Sequence, residues 1–128
     1  MTVNESSSTS DVAAGDVVLV NFPATHGGEA KIRPSVVIAV SGNPVHPREA
    51  ACLVVPATSA AKPEGTVGSV QVSEWRAAGL DRPSVLVWRR VFGIQATNVL
   101  STLGRVSPET LEELRTLVQE FVREAGPA

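Results

Sequence analysis

Short apolar runs rich in β-branched residues, each cut off by proline, glycine or a polar cluster, dominate this sequence. Such runs are too short for buried helices and have the length and composition of strands. Val17 to Phe22 follows Gly15-Asp16, ends at Pro23, and reads as a mostly buried strand. Ala24 to Ile32 is polar and contains Gly27-Gly28, which predicts a loop. Pro34 introduces a second strand, Ser35 to Ser41; Gly42 to Pro47 is a turn-rich connector, and a third strand spans about Ala50 to Ala57 and runs into Thr58-Ser59. Lys62 to Gly65 predicts a further turn. In Thr66 to Val72, Val70 and Val72 alternate with Ser69 and Gln71, the period of a half-exposed strand.

Ser73 to Ala78 reads as a short helical turn stopped by Gly79, Ser84 to Val91 as a fifth strand, and Thr97 to Leu100 as another short helical segment. The clearest element is C-terminal. Ser107 is placed as N-cap, Pro108 as the first helical residue and Glu109 in the first turn. Leu111, Leu114, Leu117, Val118, Phe121 and Val122 then recur at helical spacing on one stripe. The expected architecture is mainly β, a small twisted sheet or barrel of about five to seven strands with short helices and a C-terminal amphipathic helix.

A chain of 128 residues suits one domain. Residues 1–13, polar and Ser/Thr-rich, read as a flexible tail, and 14–124 as the domain. No apolar stretch approaches the roughly 20 residues that span a bilayer, and the N-terminus has no secretory pattern, so a cytoplasmic protein is expected. Cys52 lies in an apolar run, where a thiol acts as a small hydrophobe. Two histidines, His26 and His46, and one cysteine show no ligand spacing, so no metal or other cofactor is expected. The balance of 11 Lys and Arg against 13 Asp and Glu gives a net charge of −2, which argues against generic polyanion binding but leaves room for a local patch.

Five segments in order carry a resemblance. Gly15 to Pro23, Arg33 to Ile38, Val54 to Ser59, Asp81 to Val87 and Leu103 to Glu109 are similar to successive motifs of the MazF/PemK toxins of type II toxin–antitoxin systems. The collinear set spans about Gly15 to Val122. It implies a compact SH3-like barrel, usually a homodimer, that cleaves single-stranded RNA without a metal and is held in check by a cognate antitoxin. No membrane partner is implied. The same fold serves non-enzymatic CcdB-type poisons of DNA gyrase, and a catalytically degenerate relative that only binds RNA or antitoxin would share it too, so the site must decide.

On residue type alone, Arg33 is a surface arginine before a proline and Thr58 a strand-end threonine. The resemblance assigns Arg33 the family's catalytic arginine and Thr58 its active-site threonine. A guanidinium offers a planar fork of donors suited to a phosphate, and its very high pKa makes it a clamp rather than a base. The Thr58 hydroxyl can donate to a phosphoryl oxygen, and Ser59 is a helper of the same type. Glu29 stands four residues before Arg33, where the family has a glutamate five before its arginine; it is either an orienting carboxylate or a solvated loop charge. His26, Lys31 and Arg89 are the candidates for RNA contact. Arg89 and Arg90, adjacent on the expected fifth strand, should point to opposite faces. Trp75 and Trp88 are read as core or dimer packing residues and Phe92 as a packing residue, with base stacking the alternative for each.

Overall fold

The computed structural model describes residues 12–22, 31–42, 45, 50–59 and 69–125. These form seven strands, β1 (Asp16–Phe22), β2 (Lys31–Ser41), β3 (Ala51–Ser59), β4 (Ser69–Val72), β5 (Ser84–Val87), β6 (Phe92–Gln95) and β7 (Val99–Arg105), followed by one helix, α1 (Pro108–Ala125). Every pairing is antiparallel, in the order β4-β5-β3-β2-β1-β7. β3 is the hub. One flank pairs with β2; the other pairs with β6 along Ala51–Val54 and with β5 along Ala57–Ser59. Pro56, which has no N–H to donate, falls where that second flank changes partner.

Both faces of the central strands are covered, so β1 reads as a continuous apolar run rather than an alternating one. Val17, Val36, Val55 and Leu86 enter one cluster, which α1 closes with Leu114 and Val118. Val18, Val20, Val37 and Val54 enter the other, closed by Ile94 of β6 and Val99 of β7 as the sheet curls. Cys52 is buried in this second cluster as a free thiol, and burial raises its pKa. Trp75 and Trp88 are partly buried against the first. Phe92 packs on Phe22, with ring centroids 5.1 Å apart.

The expected mainly β fold with its terminal helix is present, and three local expectations are corrected. The fifth strand does not run to Val91: β5 ends at Val87, and a turn closed by the Arg90 N–H on the Val87 carbonyl (2.9 Å) leads into β6. Within that turn Trp88 packs edge-on to Phe121 of α1. Arg89 and Arg90 therefore are not strand neighbours on opposite faces. The Thr97–Leu100 segment is not a helical unit either; a 3-10 turn covers Ala96–Asn98, and Val99 and Leu100 open β7. Finally, β2 begins at Lys31, so Ile32 and Arg33 are strand residues paired with Asn21 and Val20.

Gly15 and Asp16 tie the start of β1 to the end of β7, its neighbour in the sheet. Gly15 takes a positive φ of 97°, and its carbonyl accepts the Val106 N–H at 2.9 Å. The buried Asp16 carboxylate accepts from Arg105 Nη1 at 2.7 Å and from the Ala13 N–H at 3.0 Å. Two of the motifs that carried the resemblance are thus scaffold, and they hold each other.

The α1 N-terminus is capped twice. Ser107 Oγ accepts the Thr110 N–H at 3.1 Å. Glu74, from the turn after β4, accepts the Ser107 N–H at 2.8 Å and the Thr110 hydroxyl at 2.9 Å. Burial acts to raise the Glu74 carboxyl, but hydrogen bonds from the Ser107 and Glu74 N–H groups and from the Thr110 and Ser107 hydroxyls outweigh it and hold the pKa at about 2, against an ordinary 4.5. A carboxylate lowered on folding stabilises the fold above its unfolded pKa, and that contribution fades as pH falls through the interval to the folded value. Thermal stability is expected to drop from pH 5 to pH 2 more steeply in the natural protein than in Glu74→Gln. Parallel curves would exclude this carboxylate as the linked group.

Along α1 the apolar stripe is only partly used. Leu114 and Val118 are buried, whereas Val122 is 60% exposed. No helix among the described residues is long and apolar enough to cross a membrane.

Candidate functional site

The ladder between β2 and β3 starts at Ser35 opposite Pro56. Upstream of Ser35 the two strands part. β2 continues on β1, with Arg33 paired to Val20, while β3 continues on β5, with Thr58 opposite Val85 and Ser59 opposite Ser84. Arg33 lies two residues before Ser35 and Thr58 two after Pro56, so the divergence sets them at matching positions on facing walls. The gap is an open cleft of about 690 Å³. Leu103 of β7 and the segment from Gly79 to Arg82 complete its lining.

That last segment is positioned by a helix-ending turn. The Leu80 N–H reaches the Trp75 carbonyl (2.9 Å) and the Gly79 N–H the Arg76 carbonyl (3.1 Å), with Gly79 at a φ of +88°. This is the Schellman arrangement, which needs a residue free to adopt a left-handed conformation. The expected stop at Gly79 is present, and it delivers Leu80, Asp81 and Arg82 to the cleft.

Four residues nominated from sequence, Lys31, Arg33, Thr58 and Ser59, line this one cleft. Arg33, Thr58 and Ser59 are half-buried and Lys31 is exposed. Arg89 is not among the lining residues; its guanidinium lies 5.1 Å from the Trp88 ring centre, in the turn beside α1. Glu29 and His26 lie outside the described residues. The cleft also takes in Asp81 and Arg82, whose part in a site the sequence alone does not announce. The available signal was the Arg-Pro step before a strand, which Arg82-Pro83 shares with Arg33-Pro34.

Charge is distributed unevenly. The whole chain carries −2, yet the charged residues lining the cleft among those described are Lys31, Arg33 and Arg82 against Asp81. Asp81 and Arg82 form an ion pair at 3.2 Å in which both side chains are largely exposed. A local cation excess beside hydroxyl donors suits a phosphodiester and not a neutral ligand. Among the described residues no three His, Cys, Asp or Glu side chains converge as a metal-binding group.

Comparisons with known proteins agree with this architecture. The sequence model of the PemK-like, MazF-like toxin of type II toxin-antitoxin systems matches residues 13–122. The fold is similar to that of the Mycobacterium tuberculosis toxin MazF-mt6, at 17% identity over 82% of this chain and 93% of that one, with a TM-score of 0.58. It is similar to the MazE-MazF structure from Deinococcus radiodurans, at 17% identity over 86% and 94%, with a TM-score of 0.59. An endoribonuclease in complex with its cognate antitoxin from a mycobacterial species gives 14% identity over 89% and 97%, with a TM-score of 0.55. No curated protein sequence matches the chain significantly.

Proposed function

Because the chain belongs to the PemK-like, MazF-like toxin family of type II toxin–antitoxin systems, we propose that it acts as an endoribonuclease on single-stranded RNA. The observation that carries the reading is the convergence of Arg33, Thr58 and Ser59 with Lys31 in one cleft, in a chain that is otherwise net acidic.

In this reaction the 2′-oxygen of one ribose attacks the adjacent phosphorus, and the bond from phosphorus to the 5′-oxygen of the next nucleotide breaks. The products are a 2′,3′-cyclic phosphate and a 5′-hydroxyl. One proton leaves the 2′-oxygen and one reaches the departing 5′-oxygen. Arg33 holds the scissile phosphate through its guanidinium fork and stabilises the charge that builds on the phosphoryl oxygens. Thr58, on the opposite wall, donates its hydroxyl to a phosphoryl oxygen, and Ser59 supports it. Lys31 holds the flanking backbone as a point charge. Holding the phosphate from two walls also fixes the in-line geometry that the attack requires.

The proposed regulator is a cognate antitoxin, as in the antitoxin complex of the mycobacterial relative, and the proposed active unit is a homodimer. Purified chain is incubated with mixed RNA in excess chelator. Fragments with cyclic phosphate and 5′-hydroxyl ends are expected, and RNA left intact by stoichiometric protein overturns the reading.

A further inference from the structure

The tetrapeptide Arg-Pro-Ser-Val occurs twice in this chain, at Arg33–Val36 and at Arg82–Val85. The first copy lies inside β2 and the second leads into β5, and both strands flank β3. β2 lies on one side, with Ser35 opposite Pro56, and β5 on the other, with Ser84 opposite Ser59. Both are antiparallel to β3, so both arginines sit at the same end of the sheet, and both line the cleft. From this placement we infer that Arg82 is a second phosphate-binding arginine, which grips the RNA backbone at a phosphate next to the one Arg33 holds. The inference rests on the RNA-cleaving reading of the cleft.

The strand register sets the spacing of the two arginines. The partners of the two serines, Pro56 and Ser59, are three residues apart on β3. At ~3.3 Å per residue that is roughly 10 Å along the strand, and two strand spacings add roughly 10 Å across it. On a flat sheet the two arginine backbones would lie on the order of 14 Å apart, and the parting of β2 from β3 before Arg33 only widens that. From opposite walls at this spacing, each extended guanidinium can engage its own phosphate along a strand of RNA.

The surroundings of Arg82 fit a binding role. Its carbonyl accepts the Ser84 hydroxyl at 2.9 Å, which fixes the backbone, while its side chain is 63% exposed and free to swing. The ion-pair partner is the adjacent Asp81, itself 82% exposed. An exposed pair of this kind is weak, so an incoming phosphate displaces Asp81 at little cost and gains the bidentate guanidinium. Asp81 thus keeps the guanidinium paired while the cleft holds no RNA.

The test uses the full chain and a fluorescent single-stranded RNA oligonucleotide, with binding followed by anisotropy in chelator and cleavage followed separately. Arg82→Ala is expected to weaken binding about tenfold and to lower the slope of log affinity against log salt by about 0.7, the change expected when one phosphate of a single strand is no longer neutralised. Its cleavage defect falls on KM rather than kcat. Arg82→Lys restores the salt slope, because charge alone sets it, but only part of the affinity. Should Arg82→Ala fail to fold, Arg82→Gln gives the same comparison with the stem retained. Unchanged affinity and salt slope would overturn the assignment, and so would a loss confined to kcat, which would put Arg82 on the reacting phosphate. If the natural chain binds RNA with the stated Arg82 dependence but does not cut it, the ribonuclease reading fails and the second phosphate contact stands.

Discussion

Replacing Arg33 with alanine should lower the rate of RNA cleavage by about 10²- to 10³-fold, the usual effect of removing one donor aimed at developing charge, while leaving thermal unfolding almost unchanged. Arg33 contributes to the fold mainly through its backbone, which pairs with Val20 in the β1–β2 ladder and which alanine preserves. Among the described residues no carboxylate is paired with its guanidinium. Truncation therefore strands no buried counter-charge among the described residues. Arg33→Lys should fall between the two, since it keeps the charge and loses the planar pair of donors. Single-turnover cleavage of a short oligonucleotide, with unfolding curves on the same samples, makes the measurement. An alanine variant as fast as the natural protein would remove Arg33 from the mechanism.

Gly79→Ala is expected to destabilise the protein by about 3–5 kcal/mol, within the range of backbone strain added to a steric clash. That is a large share of the roughly 5–15 kcal/mol available to a domain. Two independent costs meet at this position. Its φ of +88° disfavours any side chain, and an added Cβ would stand 2.2 Å from the Leu103 carbonyl oxygen and 2.6 Å from its carbon. The obstacle is backbone, so the strand itself has to move. Gly104 meets the same obstacle from the other side, since its Cβ would fall 2.4 Å from the Ala78 carbonyl oxygen. The two glycines let the turn after β4 lie directly on β7. Gly79 and Leu103 both line the cleft, so activity should fall together with stability. A urea midpoint equal to that of the natural protein would show that the turn is not held so closely.

The terminal helix was legible because its signals are local: Ser107, Pro108 and the apolar stripe all act within their own segment. β1 was legible because both of its faces are buried, leaving an uninterrupted apolar run. β7 was not, because it is an edge strand whose middle is exposed, from Leu100 to Leu103, so no alternation marks it. The break between β5 and β6 was hidden for a different reason. The turn at Trp88 and Arg89 contains no glycine, proline or asparagine, and it is held by packing on α1 rather than by turn chemistry. The second cap on α1 depends on Glu74, which is 33 residues from Ser107 in the chain, and no local pattern signals such a pairing. The cleft was half legible. Arg33 and Thr58 came from motif resemblance, whereas Arg82 becomes visible only once β2 and β5 are seen to flank the same strand.

The tie between Asp16 and Arg105 joins residues 89 positions apart, and this sets a schedule for the nascent chain. The cleft draws its walls from Leu19 through Leu103, so a ribosome that has released only the first four strands carries no assembled site. Pairings of such long sequence separation are also slow to form. The cleft is therefore incomplete until β7 has emerged and docked on β1, and whatever it binds must wait for a nearly finished chain.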